Sequence, residues 1–119
     1  MSTTPKLSVD PSDISGALRN FSTTSTGITA HAGGGQANAV PLTSAFNRVT
    51  TVATAGNSVR LPPAVPGAQI TVFNRGANSM NVFPVTGQSI NALSANASLA
   101  VASGASARFA CVVAGIWDA

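Results

Sequence analysis

The chain has 119 residues and a mass of 11.8 kDa, enough for one domain, and only 8% of the residues are charged where globular chains carry about 25%. Six Lys and Arg against three Asp leave a net charge of +3, so the sequence pI near 10.6 rests on very few groups and is no sign of a strongly basic surface. Mean hydropathy is +0.30, yet no stretch approaches the roughly 18 apolar residues of a membrane helix, the opening MSTTPKLSVD lacks the apolar run of a secretory leader, and a single cysteine, Cys111, excludes an intramolecular disulfide.

Residues 1–35, rich in Ser, Thr and Gly, read as an extended N-terminal arm with one local interruption. There Asp10 can cap a helical turn, Pro11 suits its first position, and Ile14, Leu18 and Phe21 follow at spacings of four and three to form one apolar stripe. So short a helix is marginal alone in water, so the stripe needs a surface to lie on, either its own domain or another protein. The stretch through Gly33, Gly34 and Gly35 reads either as a disordered linker or as an arm that becomes ordered against a neighbouring subunit.

From Gln36 the texture changes, and residues 36–119 are expected to form a β domain of short strands broken by turns. The run NRVTTVAT is rich in β-branched residues, AGN closes it, and the Pro62-Pro63 pair ends the strand that follows. In AQITVFN, Ile70 and Val72 alternate with Gln69, Thr71 and Phe73, and the loop RGAN leads to SMNVFP, which predicts a hairpin in which Met80 and Val82 share a face with Ile70 and Val72. SLAVA and ASARFACVVAG, joined at Ser103-Gly104, predict a second hairpin, whose last strand is apolar on both faces and is expected to lie centrally in its sheet or to be covered on both sides. Turns at this frequency, without a long helical period, predict an all-β fold: an antiparallel β-sandwich or jelly-roll-like barrel with the N-terminal arm extending from it.

Catalytic chemistry is poorly supplied. The chain has no Glu and no Tyr; its acids are Asp10, Asp13 and Asp118, and its one histidine, His31, lies in a Gly-rich stretch that cannot hold an imidazole by itself. We therefore expect no enzyme, no metal site and no cofactor, with His31 a solvated loop residue and Cys111 a small hydrophobe in a strand. Arg19, Arg48, Arg60, Arg75 and Arg108 fall one per element with few aromatic residues among them, which argues against a nucleic-acid partner and for hydrogen bonds to backbone carbonyls or a partner's carboxylates. Trp117, the sole tryptophan, either plugs the end of the core or anchors a subunit interface.

The block from Asn47 to Leu93, with its TTVA run, a strand ending in Leu61-Pro62, the Pro66-Gly67 turn, the Ile70–Asn78 segment and NVFPVTGQSIN, resembles small virion structural proteins of tailed bacteriophages, as does the closing Gly115-Ile116-Trp117. The resemblance covers about two thirds of the chain and implies a non-enzymatic protein that binds copies of itself and a shell or tail. On it rests the expectation of a capsid decoration, or cement, protein: a homotrimer on the outer surface of the virion head, bound to the major capsid protein and stabilising the capsid by bridging capsomers, with no nucleic acid and no membrane as partner. Ile14, Leu18, Arg19 and Phe21 of the arm, with Trp117, are the residues expected at the capsid or subunit interface. A head-fibre or tail-fibre module is the alternative, and a carbohydrate-binding β-sandwich, short of Trp and Tyr for sugar platforms, is the third. So few charges, scattered along the chain, predict that assembly on the particle depends only weakly on salt; release of the protein on raising salt to about 1 M would contradict this.

Overall fold

The structure is a computed structural model and describes residues 22–119. The arm residues Asp10, Pro11, Ile14, Leu18, Arg19 and Phe21 lie outside the described residues. Within them the protein is all-β: β1 (Thr24–Thr29), β2 (Val40–Pro41), β3 (Phe46–Thr51), β4 (Ser58–Arg60), β5 (Gln69–Asn74), β6 (Met80–Phe83), β7 (Ser89–Ile90), β8 (Leu99–Val101), β9 (Ser106–Ala110) and β10 (Ile116–Trp117).

The strands form a β-solenoid-like stack rather than a sandwich of antiparallel hairpins or a barrel. Sheet A has the order β1-β3-β5-β9, sheet B the order β2-β4-β6-β8, and β10 pairs with β7 in a third, two-stranded sheet C. Neighbours in each sheet come from successive coils, and the pairings are parallel except where the last coil runs back antiparallel, β8 along β6 and β9 along β5. Thr24, Phe46 and Thr71 stand in one column and Val40, Val59 and Val82 in another, so one coil takes roughly 19 to 25 residues.

Both predicted hairpins are corners instead. The RGAN loop carries the chain from β5 in sheet A to β6 in sheet B, and Ser103-Gly104 carries it from β8 in sheet B to β9 in sheet A. A short Gly-containing loop serves a hairpin or a corner equally well, and the choice is made by what the loop packs against. Here Asn74, fully buried, accepts the Gly76 N–H on Oδ1 at 2.9 Å and donates through Nδ2 to the carbonyls of Asn78 and Val101, both at 2.9 Å. That pattern turns the chain outward around the core instead of back along β5. Gly76 is required for space, not for a left-handed conformation: a Cβ there would stand 2.6 Å from the Val52 backbone nitrogen in the coil beneath.

Residues Thr24 to Gly35, expected in the arm, form β1 and the first corner of the solenoid, with β1 paired to β3 and the His31 N–H bonded to Ser58 O at 2.9 Å. The Gly triplet is a tight turn in which all three residues have positive φ, and a Cβ on Gly34 would meet Gly56 O of the next coil at 2.7 Å. β9, expected to be central or covered on both sides, is the edge strand of sheet A with one face open: its Phe109 is fully buried while Ser106 and Arg108 are exposed.

The core lies between the sheets. Val49, Ile70, Val72 and Phe109 point in from sheet A, Val59, Met80, Val82 and Val101 from sheet B, and Ile90 and Trp117 from sheet C. Ile70, Val72, Met80 and Val82 thus share one core, as the alternation predicted, although they reach it from two sheets. We expect Gly76→Ala to destabilise the protein by about 1–3 kcal/mol through overpacking against Val52. Urea unfolding followed by the emission of Trp117, the sole tryptophan in a chain without tyrosine, measures this directly.

Candidate functional site

The residues singled out for chemistry are dispersed. His31 is half-buried in the first corner, Cys111 is buried in the core with its thiol 3.2 Å from Val113 O, and Asp118 is exposed near the C-terminus. Among the described residues no group of three His, Cys, Asp or Glu is placed to hold a metal ion. Trp117 takes the first of the two roles its position allowed: it is fully buried in the protein's own core, where β10 pairs with β7, and its indole N–H is the one buried side-chain polar atom without a partner among the described residues. Such an unpaired group costs about 1–3 kcal/mol, so Trp117 is retained for its volume.

Three of the four described arginines gather on one face. Stacking of β5 on β3, parallel, and of β9 on β5, antiparallel, brings every second residue of the three strands to the outer face of sheet A, since side chains alternate along a strand. In register, Phe46 stands beside Thr71 and Thr71 beside Arg108, while Arg48 stands beside Phe73 and Phe73 beside Ser106. The face therefore has two rows, Phe46–Thr71–Arg108 and Arg48–Phe73–Ser106. Arg75, two residues beyond Phe73, lies over its ring at 5.7 Å from the centroid, a cation–π distance, and donates from Nη1 to Gly104 O at 2.8 Å. Arg48, Arg75 and Arg108 are all exposed, and Asp118 is the only acid among the described residues. Arg60, the remaining described cation, is half-buried on sheet B and donates to Gln36 O at 3.4 Å.

Phe46, 43% exposed, and the half-buried Phe73 form a ridge across this face with a shallow depression on each side. One, of about 330 Å³, has Thr24, Thr26 and Arg48 along its wall; the other, of about 480 Å³, has Gln69, Thr71, Ser106 and Arg108. Each depression thus offers one guanidinium, several hydroxyl or amide groups and an aromatic wall. No group here is placed as a base or nucleophile; the arrangement can bind an anionic partner that also has something apolar to lay on the ridge.

A second exposed surface is aliphatic. The loops 62–68 and 111–116 are hydrogen-bonded to each other through Gly67 N–H to Cys111 O at 2.8 Å and Gly115 N–H to Ala64 O at 3.1 Å. Together they expose Val65, Val112, Val113 and Ile116 at one corner of the solenoid, without a charged neighbour within either loop.

Sequence reading missed the arginine and phenylalanine face because it treated the arginines as one per element. The signal that finds it is the spacing of the coils: once Phe46 and Thr71, or Arg48 and Phe73, are aligned as equivalent positions, the face assembles itself. Clustering also changes the electrostatic expectation, since three like charges on one face respond to screening in a way that isolated ones do not. Comparisons with protein-family models, with curated proteins and with solved structures give no match to this chain.

A side chain as exposed as Phe46 contributes little to folding. We expect Phe46→Ser to change unfolding free energy by no more than about 0.5 kcal/mol, whereas Phe109→Ala, which empties the core, costs about 3–5 kcal/mol. Paired urea titrations of the two variants check both values.

Proposed function

We propose that the protein is a structural protein of a tailed-phage virion, a capsid decoration protein that binds the outside of the head as a trimer and stabilises the shell by bridging capsomers. The sequence resemblance from Asn47 to Leu93 supports the class. The observation that carries the reading is the outer face of sheet A, where a chain poor in charge places Arg48, Arg75 and Arg108 around the Phe46–Phe73 ridge on a rigid sheet. A sheet clamped at its corners is suited to bind without rearranging, because little ordering remains to oppose association. The aliphatic corner at Val65, Val112, Val113 and Ile116 is suited to contacts between copies, which face no charge repulsion there. The arm residues Ile14, Leu18, Arg19 and Phe21 complete the contact in this reading, by laying an apolar stripe on the shell.

One observation favours a fibre module as the second reading. β1 and β2 stand at the ends of their sheets, and among the described residues nothing pairs with their outer edges, so further coils or another chain could continue the stack along one axis. Imaging of intact particles separates the two. A decoration protein gives density repeated over the head in numbers comparable to the major capsid protein, and density confined to one vertex or to the tail overturns the decoration reading. On the decoration reading, removal of residues 1–21, which leaves β1 intact, lowers occupancy on stripped heads while the unfolding midpoint stays near that of the full chain. Unchanged occupancy would remove the arm from the interface.

A further inference from the structure

The outer face of sheet A also constrains what it binds. Arg48 and Arg108 occupy opposite corners of the two-row face, separated by β5 across the sheet and by one row along it. With strands about 4.8 Å apart and a rise of about 3.3 Å per residue, their Cα atoms are about 12 Å apart. The line between them crosses the ridge made by Phe46 and Phe73, and each arginine borders its own depression. We propose that this face binds an extended acidic segment of a partner polypeptide, in which two carboxylates four residues apart flank an apolar residue.

The spacing supplies the match. In an extended chain residues i, i+2 and i+4 project from one side, and i and i+4 are about 13 Å apart. Carboxylates at i and i+4 then reach Arg48 and Arg108 while the side chain at i+2 rests on the ridge. Thr24 and Thr26 on one side, and Thr71 and Ser106 on the other, supply hydroxyls for the remaining carboxylate lone pairs. Arg75 is committed differently: its guanidinium covers the Phe73 ring and is tied to Gly104 O, so it adds positive potential without being free to pair fully.

Other occupants fit less well. A second copy in the same orientation would set three arginines against three. Single-stranded nucleic acid is held by successive open aromatic faces, and here Arg75 lies over Phe73, which leaves Phe46 as the accessible ring. Acidic polypeptide answers both the charge and the single ridge.

This inference rests on the decoration reading only for where such a segment is found, on the outer surface of the shell, and its test is independent of particles. Full-length protein is titrated against a fluorescein-labelled peptide of the pattern Ser-Glu-Thr-Leu-Thr-Glu-Ser, followed by anisotropy. Controls are the same peptide with Lys for Glu, a peptide with the two Glu adjacent, a peptide of residues 1–21 and an oligothymidylate. Expected is saturable binding of the first peptide, weakened about two- to fivefold by Arg48→Gln, by Arg108→Gln and by setting the two Glu adjacent, each the loss of an exposed ion pair, weakened again between 0.05 and about 0.5 M salt, and absent with the Lys peptide. Arg60→Gln, on the other sheet, should leave it unchanged. Equal binding of the adjacent-Glu peptide, tighter binding of the oligothymidylate or the 1–21 peptide, or indifference to both arginine substitutions would overturn the proposal. Heads stripped and rebound with Arg48→Gln/Arg108→Gln protein separate the two readings. Full occupancy by this variant sinks the acidic-segment proposal and leaves decoration standing, while failure of unsubstituted protein to bind heads at any salt sinks decoration and leaves the peptide result as it is.

Discussion

Corner turns stacked directly upon one another are what the rest of this structure depends on. A parallel coil must turn between sheets at every strand end, and each turn brings backbone N–H and C=O groups to a place where no strand neighbour can satisfy them. In this protein asparagine side chains do so. Asn74 bonds three backbone groups at the corner between β5 and β6; Asn78 Nδ2 reaches down to the carbonyls of Val52 and Ala53 at 2.8 and 3.1 Å; Asn47, fully buried, donates to Ser44 O at 2.7 Å. The layers can come this close only where side chains are missing, as at Gly76 over Val52 and Gly34 over Gly56. Ser103 and Gly104 of the last coil then close the column, bonding to Gly76 O at 2.6 Å and Asn74 O at 2.8 Å.

This constraint explains how 98 described residues with few large apolar side chains hold a defined fold. Each sheet contributes a narrow strip of Val, Ile, Leu or Met to one common core, and the coils repeat it. Each fully buried side chain of this size contributes about 1.5–3 kcal/mol. Reversal of the last coil, with β8 and β9 antiparallel to the strands they cover, gives the stack an end that differs in direction from its interior. Trp117 fills the space under that end, which accounts for a bulky side chain whose N–H finds no partner.

The positions of β3, β4, β5, β6, β8 and β9 were legible in the sequence, because the longer strands carry their own alternation: Ile70, Val72 and Asn74 inward against Gln69, Thr71 and Phe73, and Met80 and Val82 inward against Asn81 and Phe83; β1, poor in large apolar residues, was read as arm. Pairing was not, because it depends on what lies one coil away. The Gly33–Gly35 run has the composition of a linker and the geometry of a turn, and only its contact with Gly56 distinguishes them. A longer-range signal was nevertheless present. Val40-Pro41-Leu42, Val59-Arg60-Leu61 and Val82-Phe83-Pro84 recur at roughly one coil's length, preceded by Gly-containing turns at Gly33–Gly35, Gly56-Asn57 and Gly76–Asn78. Aligning those three segments converts a list of strands into a stack, and with it the scattered Arg48, Phe73 and Arg108 into neighbours.

Scarcity of charge then takes on a different meaning. In a hairpin sandwich, nine formal charges along 119 residues would be diluted over two outer faces and several loops, and the protein would be electrostatically bland. Stacking of coils instead maps residues one coil apart onto adjacent strands, so Arg48, Arg75 and Arg108 are brought within about 8–14 Å of one another by the sheet itself. Because their separation is set by strand spacing and register, it does not relax when a partner approaches, and a mismatch in the partner cannot be absorbed by loop movement. A one-residue slip of β9 along β5 would turn Arg108 inward and Phe109 outward, exchanging a buried aromatic for a buried unpaired cation. The core thus enforces the register on which the face depends, and the energy that buries Phe109 is the same energy that holds Arg108 at its fixed distance from Arg48.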